Sequence, residues 1–210
     1  MSTPDLVPTT RARRKQRTRD HLLASAERLF IERGFHAASI DDIAQLAGFT
    51  KGAVYAHFRN KEEVFIALTE RRWDEQLARV RTALDALATS SADQRSASFV
   101  ELTRNLLWDD PDWQLLALEF NVYAARNPSA RRRLSERHRV DQSTLAALLA
   151  RDLDKRGVDP PISPHALAGV LLAFFNGIAL KHSTNPDPDD NEVLSAAIHL
   201  IDIALAGSDG

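Results

Sequence analysis

Residues 38–64 read ASIDDIAQLAGFTKGAVYAHFRNKEEV, and this stretch decides the fold. Ser39 with Asp42 three positions on is a capping-box variant that opens a helix. Ile40, Ile43, Ala44 and Ala47 follow at helical spacing and make its buried face. Gly48 ends it after about two turns, where the chain needs a left-handed residue. Thr50 caps a second short helix, expected to reach about Phe58. Asn60 caps a third, with Glu63 at the reciprocal position. Two short helices joined by a tight glycine turn make a helix-turn-helix, here residues 39–58. Ala44 is small enough to let the second helix cross closely, and Phe49, Val54 and Phe58 fill the space behind it. Such a corner by itself serves as well for packing as for binding DNA.

Outward on the N-terminal side, Leu22, Ala26, Leu29 and Phe30 form the apolar stripe of a helix expected over residues 13–32 and ended by Gly34. Before it, Arg11, Arg13, Arg14, Lys15, Arg17 and Arg19 place six cations in nine positions. The net charge of −2 hides this asymmetry: residues 1–60 carry 10 Lys/Arg against 6 Asp/Glu, and the remainder 17 against 23. A basic end of that kind suits a polyanion, while the rest of the chain does not. Residues 1–12 are expected to be a flexible basic arm.

On the C-terminal side, the helix rooted at Asn60 keeps its spacing from Phe65 through Trp73 and Leu84. Residues 89–93 read as a loop. Asp110-Pro111, Asn127-Pro128 and Ser163-Pro164 each open a further helix, since proline at the first helical position loses no internal hydrogen bond. A last helix is expected from about Asn191 to Ala206. Alternating patterns are absent, so no strand is expected. The expected fold is all-α, with about nine helices: a three-helix domain over 13–60 that holds the helix-turn-helix, then a larger helical bundle over 61–210.

Composition narrows the function. The chain has 210 residues, 44% hydrophobic and 27% charged, which is ordinary globular composition. It has no cysteine, which excludes a disulfide scaffold and thiolate chemistry. No apolar run approaches the roughly 18 residues of a bilayer span, and residues 1–20 lack the apolar core of a secretory signal. A cytoplasmic protein without membrane partners is expected. No Gly-x-Ser-x-Gly, phosphate-cradling glycine loop or His-Glu-x-x-His occurs, so an enzyme is not expected, nor a metal or other cofactor.

The run at 38–64, preceded by LLASAERLFIERGF at 22–35, resembles the signature of TetR-type transcriptional regulators. The resemblance is continuous over roughly residues 17–76; beyond them it is one of layout only. It implies a homodimeric repressor that sets the second short helix of each subunit in the major groove of an operator. Carried over position by position, it implies DNA contacts at Thr50, Lys51, Gly52, Ala53, Tyr55, His57 and Lys61, with Ser39 on a phosphate. Helical spacing agrees with this: with Val54 and Phe58 inward, Gly52, Ala53 and Ala56 lie on the far side. On that small face Lys51 is the candidate for a polar base contact, to guanine acceptors.

A regulator needs an input. Trp108, Trp113, Phe120, Tyr123, Phe174 and Asn176 are candidates to line a site for a small hydrophobic effector. His138 and His182 have no partner at metal-ligand spacing. The last two helices are apolar nearly all round, with Val170, Leu171, Phe174 and Ile178 on one and Val193, Leu194, Ile198, Leu200 and Ile203 on the other. A second subunit covering them gives a homodimer. A helical ligand-binding dimer without a DNA role, and a transcriptional activator, are the alternatives. Effector, operator and regulated genes are not legible in the residues.

Overall fold

The computed structural model describes residues 10–86, 90–108 and 110–206. Among them the backbone forms nine helices and no strand: α1 (Thr10–Ala37), α2 (Ile40–Ala47), α3 (Lys51–Tyr55), α4 (Lys61–Ala86), α5 (Ala92–Trp108), α6 (Pro111–Arg126), α7 (Pro128–Arg156), α8 (Pro164–Thr184) and α9 (Asp190–Ala206). The chain divides into two compact units, Met1–Thr69 and Glu70–Gly210. The division falls inside α4, nine residues beyond the boundary expected from the sequence.

In the first unit, Leu22, Ala26, Leu29 and Phe30 are at most 3% exposed, as their spacing requires. Ile43, Val54, Phe58, Val64, Phe65 and Leu68 are buried as well. Gly34 breaks α1 with φ 77° and ψ 163°, a conformation open almost only to glycine. The break turns Phe35 back onto the core, its ring centroid 5.6 Å from Phe30 and 5.7 Å from Phe65. Helix α1 begins earlier than expected, at Thr10, so Thr10–Ala12 are helical and not part of an arm. Arginine and lysine are good helix formers, and Gln16 bonds Asp20 at 2.8 Å one turn on. The rest of the expected arm, residues 1–9, lies outside the described residues, as does part of the expected loop over 89–93.

In the second unit, the proline signals mark the starts of α6, α7 and α8. Asp110 caps α6 by accepting from the Trp113 N–H at 3.0 Å, and Ser163 caps α8 through Ala166 N–H at 3.2 Å. Two apolar clusters lie within this unit among the described residues. Trp73 and Leu77 of α4 pack on Leu145, Ala146 and Ala168. Phe99, Val100, Trp108, Phe174 and Phe175 surround Ile178, Leu194 and Ile198.

A buried carboxylate fastens α8 to α9. The Asp190 side chain is 1% exposed; it accepts from Lys181 Nζ and the Asp187 N–H and lies 2.8 Å from His182 Nδ1. Lys181 first, and His182 second, hold its carboxyl at about 2. Because that value lies below an unfolded aspartate's, this contribution to stability is complete above about pH 4 and is lost as pH falls toward 2.

By length and composition α8 is long and apolar enough to cross a membrane, although Asn176 and Lys181 interrupt its apolar run well short of a bilayer span.

Candidate nucleic-acid interface

The geometry starts with two caps. Ser39 Oγ accepts from the Asp42 N–H at 3.1 Å, while the Asp42 carboxylate accepts from the Ser39 N–H at 3.0 Å and the Ser39 hydroxyl at 2.5 Å. The Ser39 hydroxyl is thus committed on both sides. The positive end of α2 already carries Asp41 and Asp42, which leaves it poorly suited to the phosphate expected there. Gly48 closes α2 in the left-handed region at φ 71°, and Phe49 N–H bonds Ala44 O at 2.9 Å to complete the turn. Thr50 then caps α3 by accepting from Ala53 N–H at 3.2 Å, which leaves its hydroxyl proton to donate.

Helix α3 is shorter than expected and ends at Tyr55. The chain continues as a turn in which the His57 and Phe58 N–H groups both bond Val54 O at 2.9 Å. Val54 and Phe58 are consequently 0% and 1% exposed. Lys51, Gly52, Tyr55 and Ala56 are exposed, and Ala53 and His57 half-buried. The face opposite the core is therefore small, open and bordered by one ammonium, one phenol and one imidazole. A methyl group placed on Gly52 would meet only Thr50 Oγ1, at 3.8 Å, so the surrounding chain does not require glycine there.

Two cations are engaged within the chain. Lys51 Nζ lies 2.9 Å from both carboxylate oxygens of Asp41, which raises the lysine's pKa through that hydrogen bond. Lys61 donates to three backbone carbonyls, Phe35 O at 2.6 Å, His36 O at 3.0 Å and Ala38 O at 2.7 Å. Its ammonium also sits 4.6 Å from the Phe35 ring centroid. Three carbonyls take all three ammonium protons, so Lys61 ties α4 to the end of α1 and is not placed like a phosphate contact.

The sequence list missed two cations of α1. Arg19 lies over the Phe58 ring at 4.6 Å, and Lys15 and Arg19 are both within electrostatic reach of His57. Their signal was the six-cation run, which enters the expected helix at residue 13 but does not say which face meets His57. Burial first, then Lys15 and Arg19, lower the His57 pKa below its ordinary 6.5. An unfolded histidine binds a proton more readily, so the folded chain loses stability as pH falls below 6.5. His57→Gln is expected to flatten the thermal-stability profile between pH 6.5 and 5, as read by circular dichroism melting.

The expected effector residues fall into separate surroundings. Trp108 stacks on His182 with centroids 4.6 Å apart and shares a cluster with Phe174. Phe120 and Tyr123 pair at 5.8 Å. Trp113 is 7% exposed and lies beneath the Arg72 guanidinium, 4.3 Å from its ring centroid. Asn176 is exposed and does not face the interior with the others.

Residues 22–68 match the tetR family of bacterial regulatory proteins, and residues 92–206 match the C-terminal domain of BetI-type transcriptional repressors. The transcriptional repressor AcnR of Corynebacterium efficiens is 25% identical over 195 residues, 91% of this chain and 94% of its own. The transcriptional activator FasR of Mycolicibacterium smegmatis is 36% identical over 101 residues, 48% of this chain but only 45% of FasR. A solved transcriptional regulator from Rhodococcus sp. Rha1 superposes with a TM-score of 0.65 at 26% identity, over 91% of this chain and 98% of that one. With its N-terminal and C-terminal halves both matched, the chain belongs to the TetR family and is a DNA-binding transcriptional regulator.

Proposed function

We propose that the chain is a homodimeric repressor that holds α3 of each subunit in the major groove of a palindromic operator and releases it on binding a small hydrophobic effector. The observation that carries this reading is the small outward face of α3 and the turn after it, where Gly52 and Ala56 are exposed and Ala53 half-buried. Thr50, Tyr55 and His57, with Lys15 and Arg19 of α1, are assigned to phosphates. Lys51 is assigned to base acceptors. Ser39 and Lys61 are assigned to holding the helices in place.

Gly52→Ala tests the reading, because protein and DNA pull it in opposite directions. Alanine favours a helix over glycine by roughly 0.5–1 kcal/mol, and the chain has room for the methyl. The variant is expected to melt higher yet bind the DNA upstream of its own gene about tenfold more weakly in a gel shift. Equal or tighter binding would remove close backbone approach from the account.

Dimerisation is supported by matching stripes. Val170, Ala173, Gly177 and Leu180 on α8 are exposed, and so are Val193, Ala196, Leu200 and Ile203 on α9. Both sets follow i, i+3, i+7, i+10 spacing, the seam of a helix that packs on another. The domain plan follows as a proposal: DNA binding over 13–60, effector binding and dimerisation over 61–210. For the effector, the indole N–H groups of Trp73 and Trp108 are buried without an acceptor in the chain, and an effector carbonyl would satisfy either.

Coupling is assigned to α4. Arg72 reaches Asp110 at 2.6 Å and stacks on Trp113, and Glu70 lies 3.5 Å from Arg137. An effector that repositions α6 or α7 would therefore bias α4, and so the spacing of the two α3 helices. Activation instead of repression is a second reading, favoured by the likeness to FasR.

A further inference from the structure

The two neighbouring carboxylates at the start of α2 have different duties. Asp42 is committed to the Ser39 cap and lies 3.5 Å from Arg33. Asp41 takes no part in the cap; it reaches across the turn to Lys51, ten residues on, with both oxygens 2.9 Å from the ammonium. The pair is open to water, with side chains 62% and 55% exposed. It is therefore weak and readily exchanged, as exposed ion pairs are. Lys51 is also the cation assigned to reading bases, and it cannot keep Asp41 and take a base acceptor at full strength together.

We propose that Asp41 tempers DNA affinity by competing with the duplex for the Lys51 ammonium. The inference rests on the assignment of Lys51 to the duplex. On any DNA, Lys51 has a ready partner within the protein, so loose attraction to a phosphate gains little by displacing it. A guanine edge that offers two acceptors in fixed positions gains more. The carboxylate thus lowers affinity wherever Lys51 touches DNA, by the strength of the pair where a guanine edge displaces it and by less where a loose phosphate contact does not. The difference between the two affinities narrows with it.

The test is a double-mutant cycle with the full-length chain. Wild type, Asp41→Asn, Lys51→Ala and the double variant are titrated by fluorescence anisotropy. One duplex is the DNA upstream of the protein's own gene; the other is a scrambled duplex of equal composition. Both are followed across a salt series. Asp41→Asn is expected to tighten the upstream duplex by about 2- to 5-fold, the range an exposed ion pair supports. The scrambled duplex should gain less, with its slope of log affinity against log salt steepening by at most about 0.9, one extra phosphate neutralised. The ratio between the two duplexes therefore widens.

In the Lys51→Ala background the same asparagine should change neither duplex. Asp41→Glu, which keeps the charge, should restore a slope close to wild type, whereas a purely structural role would leave the slope unmoved. Equal tightening with and without Lys51 would overturn the proposal, since Asp41 would then merely repel phosphates. So would an unchanged upstream duplex. If Lys51→Ala alone leaves both duplexes untouched, the assignment of Lys51 to DNA fails, and the proposal fails with it. That result is distinguishable from the others because it appears in the single variant.

Discussion

Val170→Glu combined with Leu200→Glu is expected to yield a folded monomer that binds operator DNA about 100-fold or more weakly than wild type. Both side chains are large, apolar and open, 55% and 65% exposed, so glutamate at either position stays hydrated in a single chain. Brought against a second copy, four carboxylates would be buried without partners, and burying an unpaired charge costs more than the contact gains. Loss of the dimer then removes the advantage of binding two half-sites at once, which ranges over roughly 10²–10⁴. Sedimentation velocity and a gel shift read the two effects separately. A double variant that still sediments as a dimer would place the interface elsewhere.

Lys61→Ala is expected to destabilise the N-terminal unit by about 2 kcal/mol, in the range of charged hydrogen bonds, while leaving the salt dependence of any remaining DNA binding unchanged. The ammonium holds the carbonyls of Phe35, His36 and Ala38 together and lies over the Phe35 ring. Lys61→Arg should rescue poorly, because a planar guanidinium cannot aim three protons at converging carbonyls as an ammonium can. Chemical denaturation monitored by fluorescence measures the stability. A shallower salt slope in Lys61→Ala would return the residue to the DNA.

The helix starts were legible because they are local. A capping side chain and its amide lie within three residues, so Ser39, Thr50, Asn60, Asp110 and Ser163 announced themselves. The buried face of the helix-turn-helix was legible for a similar reason, since Val54 and Phe58 are one turn apart. What the sequence hid was tertiary. Lys61 finds carbonyls more than 20 residues away, in a segment placed by the break at Gly34. Lys51 and Asp41 meet only because the Gly48 turn folds α3 against α2. Lys15 and Arg19 lay within the expected helix, but their meeting with Phe58 and His57 depends on how α1 packs. The start at Thr10 was hidden because no apolar stripe runs through residues 11–19. The effector residues were the least legible: aromatic side chains fill a core and line a pocket with the same pattern, and here they fall into different clusters.

The chain has no cysteine, so one introduced at the exposed Ala56 is a unique attachment point on the outward side of the turn that follows α3. With a DNA-cleaving iron chelate tethered there, the bound protein should cut the upstream duplex in two symmetric clusters. Their centres should lie about 34–36 Å apart along the duplex, or a multiple of that. Bound protein that leaves the DNA uncut from position 56 would contradict the placement of α3 on the bases.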